Sequence, residues 1–448
     1  MNKKTMKAKP SQLKAGLARL DITPPLGGSL VGAFGDRKSD GIYDNLYVRA
    51  LVLNDGRMEV AIVSCDLCFL GTPEVGKVRK LASAQTGIPE KHILVCATHT
   101  HTGPQVNKVF LGVGEIDRAY MDVLTRKIAD AIFLAKSRLQ QARIGMGAGE
   151  INNLFFSRRL RMPDNMVVMS WGDAKRLKGA VPAGPVDPEI GVIRIDDLKG
   201  NPLGILVNYA CHSCTVGGRM ISGDVPGLVS EVMNKSAKNN LMVAYLGGAC
   251  GNVIFGNYKG LRGYELGHAL ANVLAAQIWK ILKGIKTSGK CRLEVEDRII
   301  NIPDRPAAYA REQLRKGSTA MVWGSKATRD AVEKHYEKEA LYLSRKKREQ
   351  VPVEIQAIGI NDSVIITNPA ELFVEFGLAL KKESPFKHTF VVELGNGYAG
   401  YVPTRAAFRE GGYEVRQTAK TSRLIPEAGD MIVKTSVNMM GKLHRRTK

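Results

Sequence analysis

The apolar run Ile93-Leu94-Val95-Cys96 stops at Ala97-Thr98-His99-Thr100-His101-Thr102-Gly103-Pro104. Such a run reads as a buried strand, and Gly103-Pro104 ends the segment. Residues two apart on a strand point to one face, so the spacing predicts two imidazoles side by side at a strand end. That pair suits a metal ligand with a second imidazole beside it, or two ordinary polar residues where a strand stops. A second apolar strand, Leu203 to Ala210, delivers His212 to a small-residue loop in the same way. Three of the chain's eight histidines therefore stand at two strand ends. Strand ends that meet at one sheet edge are where α/β enzymes place their sites. Two imidazoles and a carboxylate form a common shell for a catalytic zinc with one open position. The spacing leaves that carboxylate open among Asp66, Asp224 and Glu371, all at element boundaries.

Other strands follow the same style. Ala15 to Ile22 is a first strand, and a Gly-rich loop runs on to Gly41. Leu46–Leu53 and Met58–Ser64 form a hairpin across Asn54-Asp55-Gly56. Met166–Trp171, Ile190–Ile195, Leu241–Leu246, Val353–Ile360 and Thr389–Leu394 read as further strands. Helical periodicity marks Pro73–Ala84, Ala119–Leu139 and Glu265–Leu282, and Pro369-Ala370-Glu371 opens a helix to Lys382. No internal repeat is apparent. The class is α/β, with mixed β-sheets stacked and helices on the outer faces, as one large catalytic domain. That domain spans residues 13–440, after a flexible basic lead (1–12) and before a basic tail (441–448). Residues 306–349 form a charged, mostly helical segment, interrupted near Gly317 and Gly324, that reads as an insertion or a surface layer.

The formal net charge of +22 raises the expectation of anionic partners. Much of it is local. Residues 1–14 carry five lysines and no acid, and Arg345-Lys346-Lys347-Arg348 is a second cluster. Basic residues are not interleaved with aromatics as on a single-strand binding platform. No specific nucleic acid is expected, and peripheral contact with an anionic membrane is the macromolecular partner the charge leaves. No run of about 18 apolar residues exists, so no membrane-crossing helix is expected. The basic N-terminus has no apolar stretch behind it, which predicts a cytoplasmic protein, or a secreted one where a signal has been trimmed. Seven cysteines, mostly in apolar runs, fit free buried thiols. Cys65/Cys68 and Cys211/Cys214 imitate a four-cysteine zinc site, but strand positions three apart face opposite ways. G-x-S-x-G, the Walker A loop and a strand-linked G-x-G-x-x-G are missing, which argues against a serine hydrolase of that type and against nucleotide enzymes.

Several further stretches resemble the neutral/alkaline (non-lysosomal) ceramidase family. They are Asp21-Ile22-Thr23-Pro24-Pro25, Gly41 to Ala50, Thr98 to Pro104, Ser222-Gly223-Asp224, Gly248 to Asn252 and Tyr398 to Thr404, in that order. The resemblance runs from Leu13 to about Glu414 and implies a zinc amidase. It implies His99, His212, Glu371 and Tyr401 as zinc ligands, and His101 beside the metal to stabilise the tetrahedral intermediate or shuttle a proton. Tyr413 then contacts the developing oxyanion. Arg158 or its neighbour Arg159 is the site arginine, with Ser157 where the family has Asn. The family's Gly-Asp-x-Ser-Pro-Asn segment reads Gly251-Asn252-Val253-Ile254-Phe255-Gly256 here, which puts Ile254 at the serine and leaves no serine nucleophile. The expectation is hydrolysis of an N-acyl compound, small or lipid, by metal-activated water. A zinc esterase or lactonase, or a non-catalytic protein binding anionic surfaces, are the alternatives.

Overall fold

Three sheets carry the chain, and each is assembled in the same order. The computed structural model describes residues 11–170, 177–238, 241–256, 261–316 and 326–447. Most of the expected lead, Trp171, Gly317, Gly324 and Lys448 lie outside them. In the first unit, Lys14–Asp21, Tyr47–Asn54 and Glu59–Cys65 form an antiparallel meander. Helix α1 (Thr72–Thr86) crosses back, and Ile93–Ala97 joins parallel to Glu59–Cys65. Helix α2 (Arg118–Ser137) then packs on α1 and on the sheet.

The second unit repeats this with Arg143–Glu150, Glu189–Asp196 and Pro202–Tyr209, followed by α3 (Asp224–Ser236), the parallel strand Met242–Gly247 and α4 (Gly263–Gly284). The third uses Leu293–Pro303, Gln350–Ile360 and Ser363–Thr367. Helices α5 (Ala307–Lys316) and α6 (Lys326–Arg345) are inserted between its first two strands. After α7 (Val374–Glu383) comes the parallel strand His388–Val392. A short α8 (Arg405–Glu410) precedes α9 (Ala428–Thr447), which packs on the sheet and on α7.

Period-two alternation explains the stacking, because each central strand is apolar on both faces. Val48, Ala50 and Val52 face the outer helices, while Leu51 and Leu53 face inward. Val192 against Ile193 and Ile195, and Ile355 against Ile358 and Ile360, divide likewise. The inward sides of all three sheets meet in one central core that includes Leu53, Ile62, Ile193, Leu206, Ile358 and Phe390. Burying each such side chain is worth roughly 1.5–3 kcal/mol. The Asn54-Asp55-Gly56 hairpin closes as its sequence predicts. Asp55 accepts from the backbone N–H of Arg57 (2.9 Å) and Met58 (2.8 Å), and Gly56 takes φ 83°. Mixed sheets inside and helices outside are the expected class.

Some boundaries differ from the sequence reading. Ser11–Gln12 of the lead pair with Lys290–Cys291, and α9 continues through residues set apart as a basic tail, burying Leu443. Glu371 lies not in a helix but on the strand Ala370–Leu372, paired in parallel with Gly400–Val402. The helix starts after it, where Asn252 Oδ1 accepts from Val374 N (2.9 Å).

Candidate active site

The two histidines of the first unit meet by a loop, not by strand alternation. The strand ends at Ala97, and His99 takes φ 66°, a left-handed conformation rare for a residue with a Cβ. Backbone bonds hold that turn: Thr98 N to Cys65 O, His99 N to Leu67 O and His101 N to Ser213 O, at 2.9–3.0 Å. The rings stand edge to face at 4.8 Å, with the two Nε2 atoms 3.3 Å apart. The turn thus corrects the side-by-side expectation while still bringing both imidazoles to one place.

His212 follows the third strand of the second unit and is fully buried. Its Nδ1 lies 2.7 Å from Cys250 O, and His99 Nδ1 lies 2.9 Å from Cys68 O. A backbone carbonyl at Nδ1 sets the tautomer in which Nε2 carries the free lone pair. Both Nε2 atoms sit 3.3 Å from Glu371 Oε2. That oxygen is buried and receives no hydrogen bond of acceptable geometry, whereas Oε1 accepts from the Tyr398 hydroxyl at 2.8 Å. An orphaned carboxylate oxygen facing two imidazole lone pairs is a donor set suited to a divalent cation. The three ligand atoms lie within 4.8 Å of one another.

Of the other carboxylates left open, neither joins this group. Asp66 is held by Arg49 (2.7 Å) and Tyr47 N (2.9 Å), and Asp224 accepts from the backbone N–H of Thr215, Val216 and Val225. All seven cysteines are free, and no four-cysteine cluster forms among the described residues.

The strand pairing sets Glu371 opposite Tyr401, which brings the phenol to the same place. Tyr401 Oη is 3.5 Å from His212 Nε2 and 2.9 Å from the Tyr413 hydroxyl. Arg158 lies beside both tyrosine rings, its Nε bonded to Glu414 (3.1 Å) and its Nη2 to Gly251 O. Arg159 turns to Glu414 and Glu410, over the Phe373 ring. Arg158 lines the cavity over the site and Arg159 does not.

Burial disfavours charge on every one of these groups, and the exceptions are informative. His212 is pushed down to about 3 by burial, with Arg158 and His99 adding repulsion, and His101 is lowered for the same kinds of reason. Burial alone would raise Glu371, yet His99 and His212 hold it well below the usual carboxylate range. Against its own burial, His99 is raised well above the usual imidazole range by Cys68 and Glu371, so the Glu371 carboxylate draws positive charge toward the three ligand atoms, the electrostatics that a cation satisfies.

The cavity encloses about 470 Å³. Val31, Phe34, Phe69, Val109, Phe110 and Val332 wall it, and His99, His101, Glu371 and the tyrosines line its polar end, with His212 buried behind them.

A family profile described as "Neutral/alkaline non-lysosomal ceramidase, N-terminal" matches residues 13–252. The chain belongs to the neutral/alkaline non-lysosomal ceramidase family. Among relatives, neutral ceramidase of Pseudomonas aeruginosa is 27% identical over 263 residues, covering 53% of this chain and 36% of the relative. Neutral ceramidase A of Dictyostelium discoideum is 28% identical over 241 residues, covering 51% and 32%. The chain thus spans about a third of the length of these relatives. The crystal structure of the Pseudomonas aeruginosa neutral ceramidase superposes with TM-score 0.76 at 20% identity, over 98% of this chain and 75% of that one. A structure described as "Ceramidase complexed with C2" gives 0.72 at 18% identity, over 98% and 76%.

The ceramidase-family profile spans His99, His101, Arg158 and His212. Glu371, Tyr401 and Tyr413 lie beyond it and join the site through the third unit. Ile254, which the sequence resemblance sets against the family's serine, lies on the strand Val253–Phe255 and is not among the residues lining the cavity. Sequence reasoning missed Tyr398, although it stands three residues before Tyr401. It also missed Cys68, whose thiol lies 3.5 Å from His99 Nδ1. The inserted helices were read as an insertion or surface layer, yet α6 supplies Val332 to the cavity wall and buries Glu339 completely. Glu339 accepts from Leu111 N (3.0 Å) and Ala419 N (2.9 Å), so it ties two cavity loops to the helix.

Proposed function

We propose that this ceramidase-family chain is a zinc-dependent hydrolase that cleaves the amide bond of a neutral N-acyl lipid. The observation that carries the reading is the His99–His212–Glu371 group at the polar end of an apolar cavity. His99, His212, Glu371 and Tyr401 would hold the zinc. When bound, zinc lowers the pKa of a water toward about 7 and polarises the substrate carbonyl. His101 is the proton carrier. Its Nδ1 is 3.2 Å from Gly32 O, the contact that sets the tautomer with the lone pair on Nε2, which can take a proton and pass it to the leaving amine. The Tyr413 hydroxyl donates to the oxyanion, and Arg158 fixes both tyrosines from behind. A donor of this kind is worth about 2.7–4 kcal/mol.

The cavity favours an uncharged substrate. Its only Asp, Glu, Lys or Arg side chains among the described residues are Glu371 and Arg158, and Arg158 is engaged by Glu414. The wall around the acyl portion is aromatic and aliphatic. A lipid must reach this cavity from a surface, and α6 offers one. The helix that places Val332 in the wall exposes Leu341 (55%) and Tyr342 (45%) beside the basic Arg345 and Lys347, which fits an anionic membrane.

The test is zinc analysis joined to a hydrolysis screen of ceramide, N-acyl amino acids, small amides and esters. The expected result is stoichiometric zinc and turnover of the neutral N-acyl lipid, lost in His99→Ala. Protein without zinc whose activity survives His99→Ala overturns the proposal. Preference for esters or lactones over all amides replaces the amidase by an esterase on the same site.

A further inference from the structure

In the third unit Glu393 follows directly on the parallel strand His388–Val392, at a position comparable with the strand ends that lead to His99 and Cys250 in the other two units. Glu393 is 1% exposed and does not line the cavity. Its Oε2 accepts from Cys250 N (3.0 Å) and Leu372 N (3.2 Å), and its Oε1 accepts from the Cys250 thiol (2.8 Å). Its own N–H donates to Gly247 O at 2.9 Å.

The groups it grips are those that aim the site. Cys250 presents the carbonyl that faces His212 Nδ1, and Leu372 follows Glu371 on its strand. Between them, Gly251 N bonds Leu372 O at 2.8 Å, Gly251 O holds Arg158 Nη2, and Asn252 O accepts from Arg158 N at 2.9 Å. Only glycine fits at 251, since a Cβ there would stand 2.5 Å from the Glu371 carbonyl oxygen. One buried carboxylate thus joins the turn that orients His212 and Arg158 to the strand that carries Glu371.

We propose that Glu393 is the positioning residue of the metal site. It acts through Cys250 and Leu372, and it sets the separation of His212 from Glu371 by hydrogen-bond geometry. The inference rests on the zinc-hydrolase reading above. Outer partners of metal ligands set affinity by about 10–100-fold, which is the effect expected here. A carboxylate is not needed for its charge. Gln places one carbonyl oxygen for the two backbone donors and turns its amide toward the Cys250 sulfur, a weak acceptor.

The experiment measures zinc dissociation constants by competition with a chelating dye for wild type, Glu393→Gln, Glu393→Asp and Glu393→Ala. Steady-state kcat and KM and the melting temperature of the chelator-treated protein are read alongside. Expected are near-wild-type affinity for Glu393→Gln and a loss of about 10–100-fold for Glu393→Ala. Glu393→Asp, which keeps the charge but retracts the oxygens, falls between them. The kcat should drop with affinity at a nearly constant KM. If Glu393→Ala does not fold, the Gln and Asp variants carry the comparison. Wild-type zinc affinity in the Asp and Ala variants overturns the proposal, and so does a Gln variant as weak as Ala. A wild-type protein that binds no zinc overturns the zinc reading itself and this inference with it.

Discussion

The two ends of the cavity are built by opposite means. The polar end consists of short turns and strands at the ends of the sheets, where backbone carbonyls hold both ligand imidazoles at Nδ1. The apolar end is held by side chains from separate loops and an inserted helix, with Phe34 stacked on Phe110 (4.6 Å) and His335 edge-on to Phe110 (5.1 Å). One end is fixed by the three sheets; the other hangs on α6 through Glu339. Backbone-held geometry at the ligands and side-chain packing at the walls fit the proposed reading, in which the chemistry is constant while the acyl group is read by the wall.

The comparison breaks most severely at Glu371. Glu371→Gln keeps the shape but removes the anion that faces two Nε2 atoms. Loss of a direct ligand should exceed the roughly 10–100-fold that an outer partner costs in metal affinity. Dialysed protein should therefore contain no zinc and show no measurable turnover. The wall should be untouched, so the mutant should still bind a non-hydrolysable N-acyl analogue, as calorimetry would show. A zinc-replete Glu371→Gln enzyme with normal kcat would remove the carboxylate from the ligand set.

Tyr413→Phe is the next largest break. It removes one hydroxyl, 2.9 Å from that of Tyr401, and leaves the ring beside Arg158. If the hydroxyl serves the oxyanion, kcat should fall about 10²–10³-fold with KM little changed. Zinc content should stay at the wild-type level. A rise in KM alone would make Tyr413 part of the wall rather than of the chemistry.

How much of this was legible in the sequence follows the same division. Strand ends carrying His99 and His212 were readable, because a buried strand needs a continuous apolar run and then a stop. The site carboxylate was not, since Asp66, Asp224 and Glu371 all sit at element boundaries and only hydrogen bonding separates them. Asp66 and Asp224 are consumed by Arg49 and by backbone donors; Glu371 alone keeps a bare oxygen. Arg158 and Arg159 were inseparable as neighbours until the bend at Arg158, between the strands Phe155–Ser157 and Arg159–Arg161, sent one to the cavity and the other to Glu410. The threefold recurrence of three strands, helix, parallel strand and helix left no sequence repeat. Packing in all three units asks only for apolar residues at alternate positions, and many sequences satisfy that. In α6 the charge that suggested a surface layer occupies one side, while Val332, His335, Tyr336, Glu339, Ala340 and Leu343 recur at helical spacing on the other.

The wall can be altered without disturbing the ligands. Phe110→Ala opens the stack with Phe34 and leaves every hydrogen bond of the polar end in place. Differences of one methylene in an apolar pocket are worth about 1–3 kcal/mol. The mutant should therefore lose about 10–200-fold in kcat/KM on short acyl chains and regain it on longer ones. A uniform loss across chain lengths, with zinc unchanged, would move the acyl group to another part of the cavity.

The smallest effect belongs to the outer face of α6, and it separates the wall from its surroundings. Leu341→Asp with Tyr342→Ser removes apolar surface and adds a negative charge next to Arg345 and Lys347. Inner-face contacts through Glu339 remain, so zinc content and turnover of a short, water-soluble N-acyl amide should match wild type. Retention on vesicles of anionic phospholipid should drop several-fold, each basic residue near such a surface being worth about 1 kcal/mol. Raising salt should weaken wild-type retention as well, since charges this exposed are screened within about 10 Å at 0.1 M. Equal loss on soluble and vesicle-borne substrates would show that the face supports the cavity instead of meeting a membrane. Unchanged retention would send the lipid-facing role to a different basic surface.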